Sequence, residues 1–149
     1  IGCVRLTEKY IETDPPAPEE LVACLSITEA HLDDVAREMP QSFEAVTFVG
    51  LAGTVSSAAM VEIGMPEYDR DQVHHFRLTR AAAEDVYRTV AMESREDRAF
   101  NPGLEPGRVD TIVAGMCILV RIMRFFGIEE VLVSEADILD GLAFSFFDA

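Results

Sequence analysis

The stretch from Ala45 to Thr54 reads AVTFVGLAGT, an apolar run that leads into two glycines, Gly50 and Gly53. A short apolar run that ends at a glycine is typical of a buried strand in a parallel sheet. Residues 55–63 then have the apolar spacing of a helix, which Gly64 and the proline two residues later end. We therefore expect a strand, a tight turn and a helix, in that order.

Strand and helix patterns alternate along the rest of the chain. β-forming or apolar residues predict strands at Val4–Tyr10, Val73–Leu78 and Val131–Val133. Helices are predicted at residues 18–39, at Arg80–Met92 with Thr79 as cap, from about Arg108 to Phe126, and at Ile138–Phe147. This alternation predicts an α/β layer architecture with crossover connections.

The chain is strongly acidic. It has 12 Lys and Arg against 27 Asp and Glu in 149 residues, which gives a formal net charge of −15. A nucleic-acid-binding surface needs a basic patch, so the composition argues against DNA binding. A polyanionic ligand would have to be attracted by a cation, or by a part of the protein outside these residues.

Cysteine usage and hydropathy bear on the location of the protein. Cys3, Cys24 and Cys117 lack paired spacing, which predicts reduced thiols in a cytoplasmic protein. The apolar run Ile112–Gly127 is shorter than the roughly 20 residues that a membrane span needs, and it contains two arginines. We therefore expect a buried helix there and no contact with a membrane.

The best candidate for a functional site is the turn between the strand predicted at Ala45–Val49 and the helix that follows it. Ligands gather at the carboxyl ends of strands in α/β sheets, and Gly50 and Gly53 permit positive φ angles and close approach. Unpaired amides at Ala52, Gly53 and Thr54 would bind an anion, and the Thr54 hydroxyl could touch a phosphate or cap the helix. The alternative is a tight turn without a ligand.

Other polar residues favour structural roles. His74 and His75 would point to opposite faces of a strand and could not share a metal. Arg108 and Asp110 precede an apolar helix, where a local ion pair or cap is a simpler interpretation than a phosphate clamp. Gly115 inside that helix suggests close approach of another backbone, by helix–sheet packing or by a ligand.

Acidic residues near the end of the chain have a simple interpretation. Glu135, Asp137 and Asp140 could resemble a pair of catalytic carboxylates. Capping of the final helix explains them better, because acidic side chains stabilise the amino-terminal ends of helices.

Four segments, taken in order, resemble the second actin-like domain of Ppx/GppA phosphatases. Each is modest alone, but their order and gaps cover nearly the whole chain, and the opening and closing segments resemble those of the short two-domain actinobacterial members. The segments are Ile1-Gly2-Cys3-Val4-Arg5-Leu6-Thr7-Glu8, Val49-Gly50-Leu51-Ala52-Gly53-Thr54, Gly107-Arg108-Val109-Asp110-Thr111-Ile112-Val113-Ala114-Gly115 and Val133-Ser134-Glu135-Ala136-Asp137-Ile138-Leu139-Asp140-Gly141-Leu142.

The resemblance implies a fold and a site. Two ribonuclease-H-like lobes, of the actin, Hsp70 and hexokinase kind, close over a cleft that holds a terminal phosphate, usually with Mg2+. Gly50, Ala52, Gly53 and Thr54 would lie beside the phosphate chain. Four further residues would support the site without touching the phosphate; they are Arg5, Glu8, Arg108 and Asp110.

The resemblance also implies that parts of the family's machinery lie outside residues 1–149. The catalytic glutamate and the glycine-rich phosphate loop of the family would precede Ile1, so Mg2+ ligands and a catalytic residue are expected elsewhere. We expect the chain to be the carboxy-terminal part of the second domain, and inactive alone. An open sheet edge would be covered in a homodimer or by the missing amino-terminal part.

For the parent protein the resemblance implies an exopolyphosphatase, which hydrolyses terminal phosphate from inorganic polyphosphate. A guanosine pentaphosphate phosphohydrolase is the nearest alternative. A non-catalytic actin-like sensor of phosphate or nucleotide, and a sugar or acetate kinase relative, are further alternatives of the same fold.

Overall fold

The structure is a computed structural model that describes residues 1–147. Three strands form its sheet. They are β1 (Phe48–Leu51), β2 (Arg77–Thr79) and β3 (Glu130–Ser134), in the spatial order β1-β3-β2. β1 runs parallel to β3, with Gly50 opposite Val133, and β2 runs antiparallel to β3. The predicted parallel pairing of β1 is therefore confirmed.

Residues 1–147 also form eight α-helices and two short 3-10 turns, Pro40–Glu44 and Pro106–Arg108. The helices are α1 (Cys3–Tyr10), α2 (Pro18–Glu38), α3 (Gly53–Ile63), α4 (Arg70–Val73), α5 (Arg80–Met92), α6 (Arg95–Arg98), α7 (Ile112–Phe125) and α8 (Ile138–Phe147).

Helix α7 is the centre of the core. Most of its residues are buried, because α1, α2, α3 and α5 all pack against it. Val131 and Val133 of β3 and Leu78 of β2 are buried on the sheet face that joins this core. The apolar run Ile112–Phe125 is thus a core helix, as its length and its arginines predict.

Several predicted boundaries are confirmed by local backbone chemistry. Pro18 occupies the first turn of α2. Gly64, in the left-handed conformation, ends α3, and Gly127 has a φ of 66° just after α7. Thr79 caps α5, because its Oγ1 accepts a hydrogen bond from the Ala82 N–H at 3.2 Å.

The predicted strand at Val4–Tyr10 is wrong, because these residues form helix α1. Cys3, Leu6 and Tyr10 recur at steps of three and four, so they share the face that packs with α2 and α7. Leu6 is buried there. The contact with α7 outweighs the β-propensity of the segment, which is a weak preference.

Two other strand predictions are partly wrong. β1 begins three residues later than Ala45, and its residues alternate between half-buried and exposed, with Val49 53% exposed. The helices cover one face of the sheet in the described part of the chain, so alternate residues of β1 stay exposed. The strand predicted from Val73 is reduced to β2, because Asp69 caps the short helix α4 at its start.

Candidate functional site

The candidate site begins where β1 ends and α3 begins. Ala52 lies at φ 70° and ψ 171°, a region that residues other than glycine rarely adopt. Its carbonyl accepts hydrogen bonds from the N–H groups of Val55 (3.1 Å) and Ser56 (3.3 Å). Gly50 and Gly53 permit a positive φ, but the residue that adopts it at this sharp bend is Ala52.

The first amides of α3 are unpaired. Among residues 1–147, neither the Gly53 N–H nor the Thr54 N–H donates a hydrogen bond, and no side chain caps the helix. Helix starts leave such donors unpaired, and their partial positive charge attracts anions.

Arg108 explains why residue 53 is glycine. A Cβ on Gly53 would lie 1.8 Å from Arg108 Nη2, so the guanidinium group rests directly on the turn. The carbonyl of Glu105 accepts a hydrogen bond from the Arg108 N–H at 2.8 Å, which fixes the short 3-10 turn that carries this side chain.

Gly50 and Gly115 allow close packing of neighbouring side chains. A Cβ on Gly50 would lie 2.7 Å from Val131 Cγ1 and 2.8 Å from Val55 Cγ1. A Cβ on Gly115 would lie 2.6 Å from Thr54 Oγ1, so the group that approaches α7 at this point is a side chain and not the predicted backbone. Thr54 thus packs the start of α3 against α7.

A cavity of about 280 Å³ opens beside the turn. Arg108 is the one basic residue in its lining, beside three acidic residues. The lining is formed by Ala52, Gly53, Ser56, Ser57, Met60, Tyr68, Glu105, Arg108, Ser134, Glu135 and Asp137. Of the four residues predicted to bind phosphate, Ala52 and Gly53 line this cavity, whereas Gly50 and Thr54 pack behind it.

A hydrogen-bonded network joins four residues from separate parts of the chain at this cavity. The Glu135 carboxylate accepts hydrogen bonds from the Ser56 hydroxyl and, at 2.5 Å, from the Tyr68 hydroxyl. The N–H of Glu135 donates to Nδ1 of His74 at 3.0 Å. The hydrogen bond to Glu135 raises the pKa of Tyr68 to about 12, so the phenol stays a donor near neutral pH.

Sequence reasoning did not assign Ser56, Tyr68 or Glu135 to this site. Glu135 follows β3 directly, so the rule that ligands bind at the carboxyl ends of strands could have indicated it. No local pattern marks Tyr68, because it enters the site from the loop between α3 and α4.

Arg108 and Asp110, for which a local ion pair or a cap was expected, do not pair with each other, and neither caps α7. Asp110 instead accepts from Arg95, with Nε and Oδ1 2.5 Å apart. The hydrogen bond from Arg95 lowers the pKa of Asp110. Among residues 1–147, no carboxylate forms a salt bridge with Arg108, so its charge is available in the cavity.

Arg5 and Glu8, which the resemblance placed in support of the site, lie on α1. They line a separate surface depression with residues 1–4, and neither lines the cavity beside Gly53.

The two adjacent histidines do not point to opposite faces. The rings of His74 and His75 stack with centroids 3.8 Å apart. The prediction assumed a strand, but His75 has a φ of 69° at a bend before β2. His74 therefore turns toward Glu135 and takes part in the network.

The predicted capping of the final helix is confirmed for Asp137 and Asp140 but is wrong for Glu135, whose carboxylate accepts from Ser56 and Tyr68 instead. Asp137 Oδ1 accepts from the Leu139 N–H at 2.7 Å, and Asp140 Oδ2 accepts from the Asp137 N–H at 2.8 Å. These carboxylates thus hold the first turn of α8.

Within residues 1–147, no three His, Cys, Asp or Glu side chains are grouped so that they could hold a metal ion. No helix in the same range is both long enough and apolar enough to cross a membrane.

Comparison with known proteins identifies relatives over nearly the whole chain. Exopolyphosphatase 2 of Mycobacterium tuberculosis (strain CDC 1551 / Oshkosh) is 35% identical over 149 residues, which cover 97% of this chain and 46% of that protein. A bifunctional 3-dehydroquinate synthase/phosphatase of Fusobacterium nucleatum is 28% identical over 95% of this chain and 21% of its own length.

Solved structures superimpose closely on the chain. A crystal structure of an exopolyphosphatase-like protein gives a TM-score of 0.93 at 26% identity, over 98% of this chain and 48% of that one. The Aquifex aeolicus member of the Ppx/GppA family gives 0.88 at 28% identity, over 99% and 46%. The chain therefore spans about half the length of these two proteins.

These superpositions confirm the predicted fold class, an α/β ribonuclease H-like lobe of the actin, Hsp70 and hexokinase superfamily. A sequence model of one family matches residues 1–148. The chain belongs to the Ppx/GppA phosphatase family.

Proposed function

We propose that this chain supplies one phosphate-binding wall of an exopolyphosphatase, an enzyme that hydrolyses terminal phosphate from inorganic polyphosphate. The observation that carries the proposal is the position of Arg108, whose guanidinium group rests on Gly53 at the open amino-terminal end of α3. The similarity to exopolyphosphatase 2, over 97% of this chain, supports the same substrate class.

The geometry suits a phosphate group for two reasons. The N–H groups of Gly53 and Thr54 supply fixed donors at a helix start, and Arg108 supplies a planar cationic donor beside them. A phosphate oxygen can accept from both kinds of donor at once, and charge-assisted hydrogen bonds of this type are the stronger ones.

The charge of Arg108 has a further effect. With a net charge of −15 the chain repels polyanions at a distance, so attraction must arise locally. Arg108 forms no salt bridge among residues 1–147 and is the one positive charge of a lining that also has three acidic residues, so a bound polyanion must lie close to its guanidinium group.

Glu135 fixes the orientation of two side chains in the proposed phosphate-binding wall. Its carboxylate holds the hydroxyl groups of Ser56 and Tyr68, which would otherwise be free to rotate. We propose that Glu135 positions Ser56 at the start of α3, while its own charge keeps the bound tail on the side of Arg108.

The reaction requires water to attack the terminal phosphorus while the bond to the bridging oxygen breaks. Negative charge then accumulates on the departing chain and on the transferred group. In this proposal Arg108 and the α3 amides bind the non-bridging oxygens and hold the tail in line. Mg2+, when bound, would neutralise further charge, and its ligands and the base that orients water are expected outside these residues.

Binding of tripolyphosphate to the chain tests this wall directly. We expect saturable binding by calorimetry, and R108A should weaken it at least about tenfold, the worth of one charge-assisted hydrogen bond. R88A is the matched control, because Arg88 is exposed and pairs with Asp85 on α5. Equal losses in both variants would show non-specific attraction and contradict the proposal.

Catalysis is tested in the longest native protein that contains residues 1–149. We expect it to release phosphate from polyphosphate of defined chain length in the presence of Mg2+ or Mn2+. If no phosphate is released with either metal, the proposed enzymatic activity is contradicted. The proposed binding of phosphate is tested separately, by the calorimetric titration with tripolyphosphate.

A second cavity favours one alternative substrate, guanosine pentaphosphate. This cavity, of about 490 Å³, shares Met60, Tyr68 and Glu105 with the first, and Phe100 stands at its rim, 81% exposed. Aromatic rings stack on nucleobases, and a carboxylate can accept from the N–H groups of guanine. A competition assay in which tripolyphosphate and guanosine pentaphosphate are both present would rank the two substrates.

Location and assembly belong to the same proposal. The three cysteines form no disulfide within residues 1–147, which supports a cytoplasmic protein with reduced thiols. A homodimer and pairing with the amino-terminal part of the family fold are the two assemblies proposed.

A further inference from the structure

The two residues before β2 pair irregularly with β3. His75 and Phe76 together oppose Val133, whose carbonyl accepts from the His75 N–H at 2.8 Å and whose N–H donates to the Phe76 carbonyl at 2.9 Å. Two residues that face one on the partner strand form a β-bulge, and bulges re-aim neighbouring side chains next to functional sites. His75 has the φ of 69° that turns the chain at this point.

The His74 side chain takes the next position along β3. The N–H of Glu135, two residues beyond Val133, donates to His74 Nδ1 at 3.0 Å, where regular pairing would supply a backbone carbonyl. The ring also stacks on that of His75, with centroids 3.8 Å apart. One hydrogen bond and one stacked ring therefore fix the orientation of the His74 imidazole.

The hydrogen bond also defines where His74 carries its proton. A backbone N–H can only donate, so Nδ1 of His74 must accept with its lone pair. In a neutral imidazole one nitrogen donates and the other accepts, whereas both nitrogens of a protonated ring donate. His74 is therefore neutral in this structure, with its proton on Nε2.

Glu135 depends on this bond for the position of its backbone. The pairing of β3 with β1 ends at Ser134 within residues 1–147, so no strand partner holds the next residue. The Glu135 carboxylate accepts from Ser56 and Tyr68, which line the cavity of about 280 Å³. His74 does not line that cavity, so it can act on a bound phosphate only through another residue.

We infer that His74, as the Nε2–H tautomer, is a positioning residue that holds Glu135 in place in the proposed phosphate-binding wall. Its lone pair anchors the backbone of Glu135, and this anchor sets where the carboxylate meets Ser56 and Tyr68. The effect on phosphate affinity rests on the proposed function. The anchoring of Glu135 does not, and it is measured without a ligand.

Long-range ¹H–¹⁵N correlation spectra of the labelled, ligand-free chain test the tautomer. At about pH 8 a histidine with an ordinary pKa is neutral, so the spectra report which nitrogen carries the proton. We expect the proton on Nε2 of His74, with Nδ1 unprotonated. A proton on Nδ1 overturns the inference, and this measurement needs no variant.

Substitutions at residue 74 test the anchoring, also without a ligand. His74→Asn keeps an acceptor at about the position of Nδ1, whereas His74→Leu keeps much of the bulk and has no acceptor. The hydrogen bond to Glu135 raises the pKa of Tyr68 to about 12, and this pKa should be unchanged in H74N. In H74L it should return toward the ordinary value of about 10, because the carboxylate is displaced. An unchanged Tyr68 pKa in H74L, measured by NMR titration of its ring signals, overturns the inference.

Calorimetry with tripolyphosphate measures the consequence for binding. H74L should weaken the affinity about three- to tenfold, the worth of one hydrogen bond, and H74N should weaken it less than about twofold. H31L is the matched control, because His31 is an exposed histidine of α2 and its replacement should leave the affinity unchanged.

A double-variant cycle separates positioning of Glu135 from a general effect on the fold. E135A leaves no carboxylate to place, so adding H74L to it should change the affinity by less than about twofold. An equal loss from H74L in the parent and in E135A overturns the inference, as does an equal loss from H31L. If the parent does not bind tripolyphosphate, the proposed function fails, and the tautomer and the Tyr68 pKa still decide the role of His74.

Discussion

The guanidinium group of Arg108 fills the space in which a side chain at Gly53 would begin, with Nη2 1.8 Å from the position of a Cβ atom there. These residues are far apart in the sequence and belong to different elements, the 3-10 turn before α7 and the start of α3. Their contact places the one cation of the cavity lining beside the open amides of a helix.

Gly53→Ala should therefore impair ligand binding more than folding. The added methyl group meets the end of a flexible side chain, so Arg108 can move aside at little cost in stability but leaves its position over the turn. We expect a loss of about tenfold in tripolyphosphate affinity, as for one charge-assisted hydrogen bond. Isothermal titration calorimetry measures it.

Gly107→Ala is the control for this change. Nothing lies within 4 Å of a Cβ atom at residue 107, so its affinity for tripolyphosphate should match that of the parent. A similar loss in both variants would mean that the glycine at residue 53 has no special relationship with Arg108.

Ala52→Gly should stabilise the chain. Ala52 lies at φ 70° and ψ 171°, where a residue with a side chain is strained by about 1–3 kcal/mol. Part of that gain is offset because glycine makes the unfolded chain more flexible, so we expect a net increase of about 1 kcal/mol in the free energy of unfolding. Urea denaturation measures it, and a decrease of similar size would show that residue 52 has an ordinary backbone conformation.

Asp14→Asn should destabilise the chain by about 2 kcal/mol, because it removes the partner of a buried charge. Arg98 is 5% exposed, and its Nη2 donates to Asp14 Oδ1 at 3.0 Å. The expected loss of unfolding free energy is smaller than for a fully buried ion pair, because the Asp14 side chain is 45% exposed.

Asp34→Asn provides the comparison for that prediction. Asp34 pairs with Arg37 on the surface of α2, where both side chains are more than half exposed. Such pairs contribute less than about 1 kcal/mol. If urea denaturation gives equal losses for the two variants, the burial of Arg98 has no energetic consequence.

The stability of the chain should fall in acid partly because of Glu20. Four hydrogen bonds reach its carboxylate, from the N–H groups of Glu12 (2.8 Å), Thr13 (3.1 Å) and Ala17 (2.8 Å) and from the Thr13 hydroxyl (2.6 Å). These bonds, that of the hydroxyl first, lower the pKa of Glu20 from 4.5 to about 2.

The sign of the pH effect follows from this depressed pKa. The contribution of Glu20 is fully present above pH 4.5 and is lost as the pH falls toward 2. Between pH 5 and pH 2.5 the parent should lose more free energy of unfolding than Glu20→Gln, in which residue 20 does not titrate. Urea denaturation at both pH values measures this difference. If the parent and Glu20→Gln lose the same free energy of unfolding, the depressed pKa of Glu20 is contradicted.

The local parts of the fold could be predicted from the sequence. The strand, turn and helix around Gly53 depend on nearby glycines and apolar spacing, and the caps at Thr79 and Asp137 depend on their own neighbours. The segment at Val4–Tyr10 could not be predicted in this way, because its helical form depends on the face that it presents to α7.

The composition of the cavity depends on long-range contacts. A local ion pair or cap was expected for Arg108 and Asp110, but Asp110 pairs with Arg95, and Arg108 lies over the turn. Tyr68 meets Glu135 through the packing of two loops. Nothing in the spacing of these residues along the chain indicates that they meet.

The most direct test is an NMR titration of the ¹⁵N-labelled chain with tripolyphosphate. If the turn binds phosphate, the backbone amide signals of Gly53 and Thr54 and the Nε–H signal of Arg108 should shift together and saturate at one concentration. Saturable shifts that map to another part of the chain, with these three signals unchanged, would contradict the account.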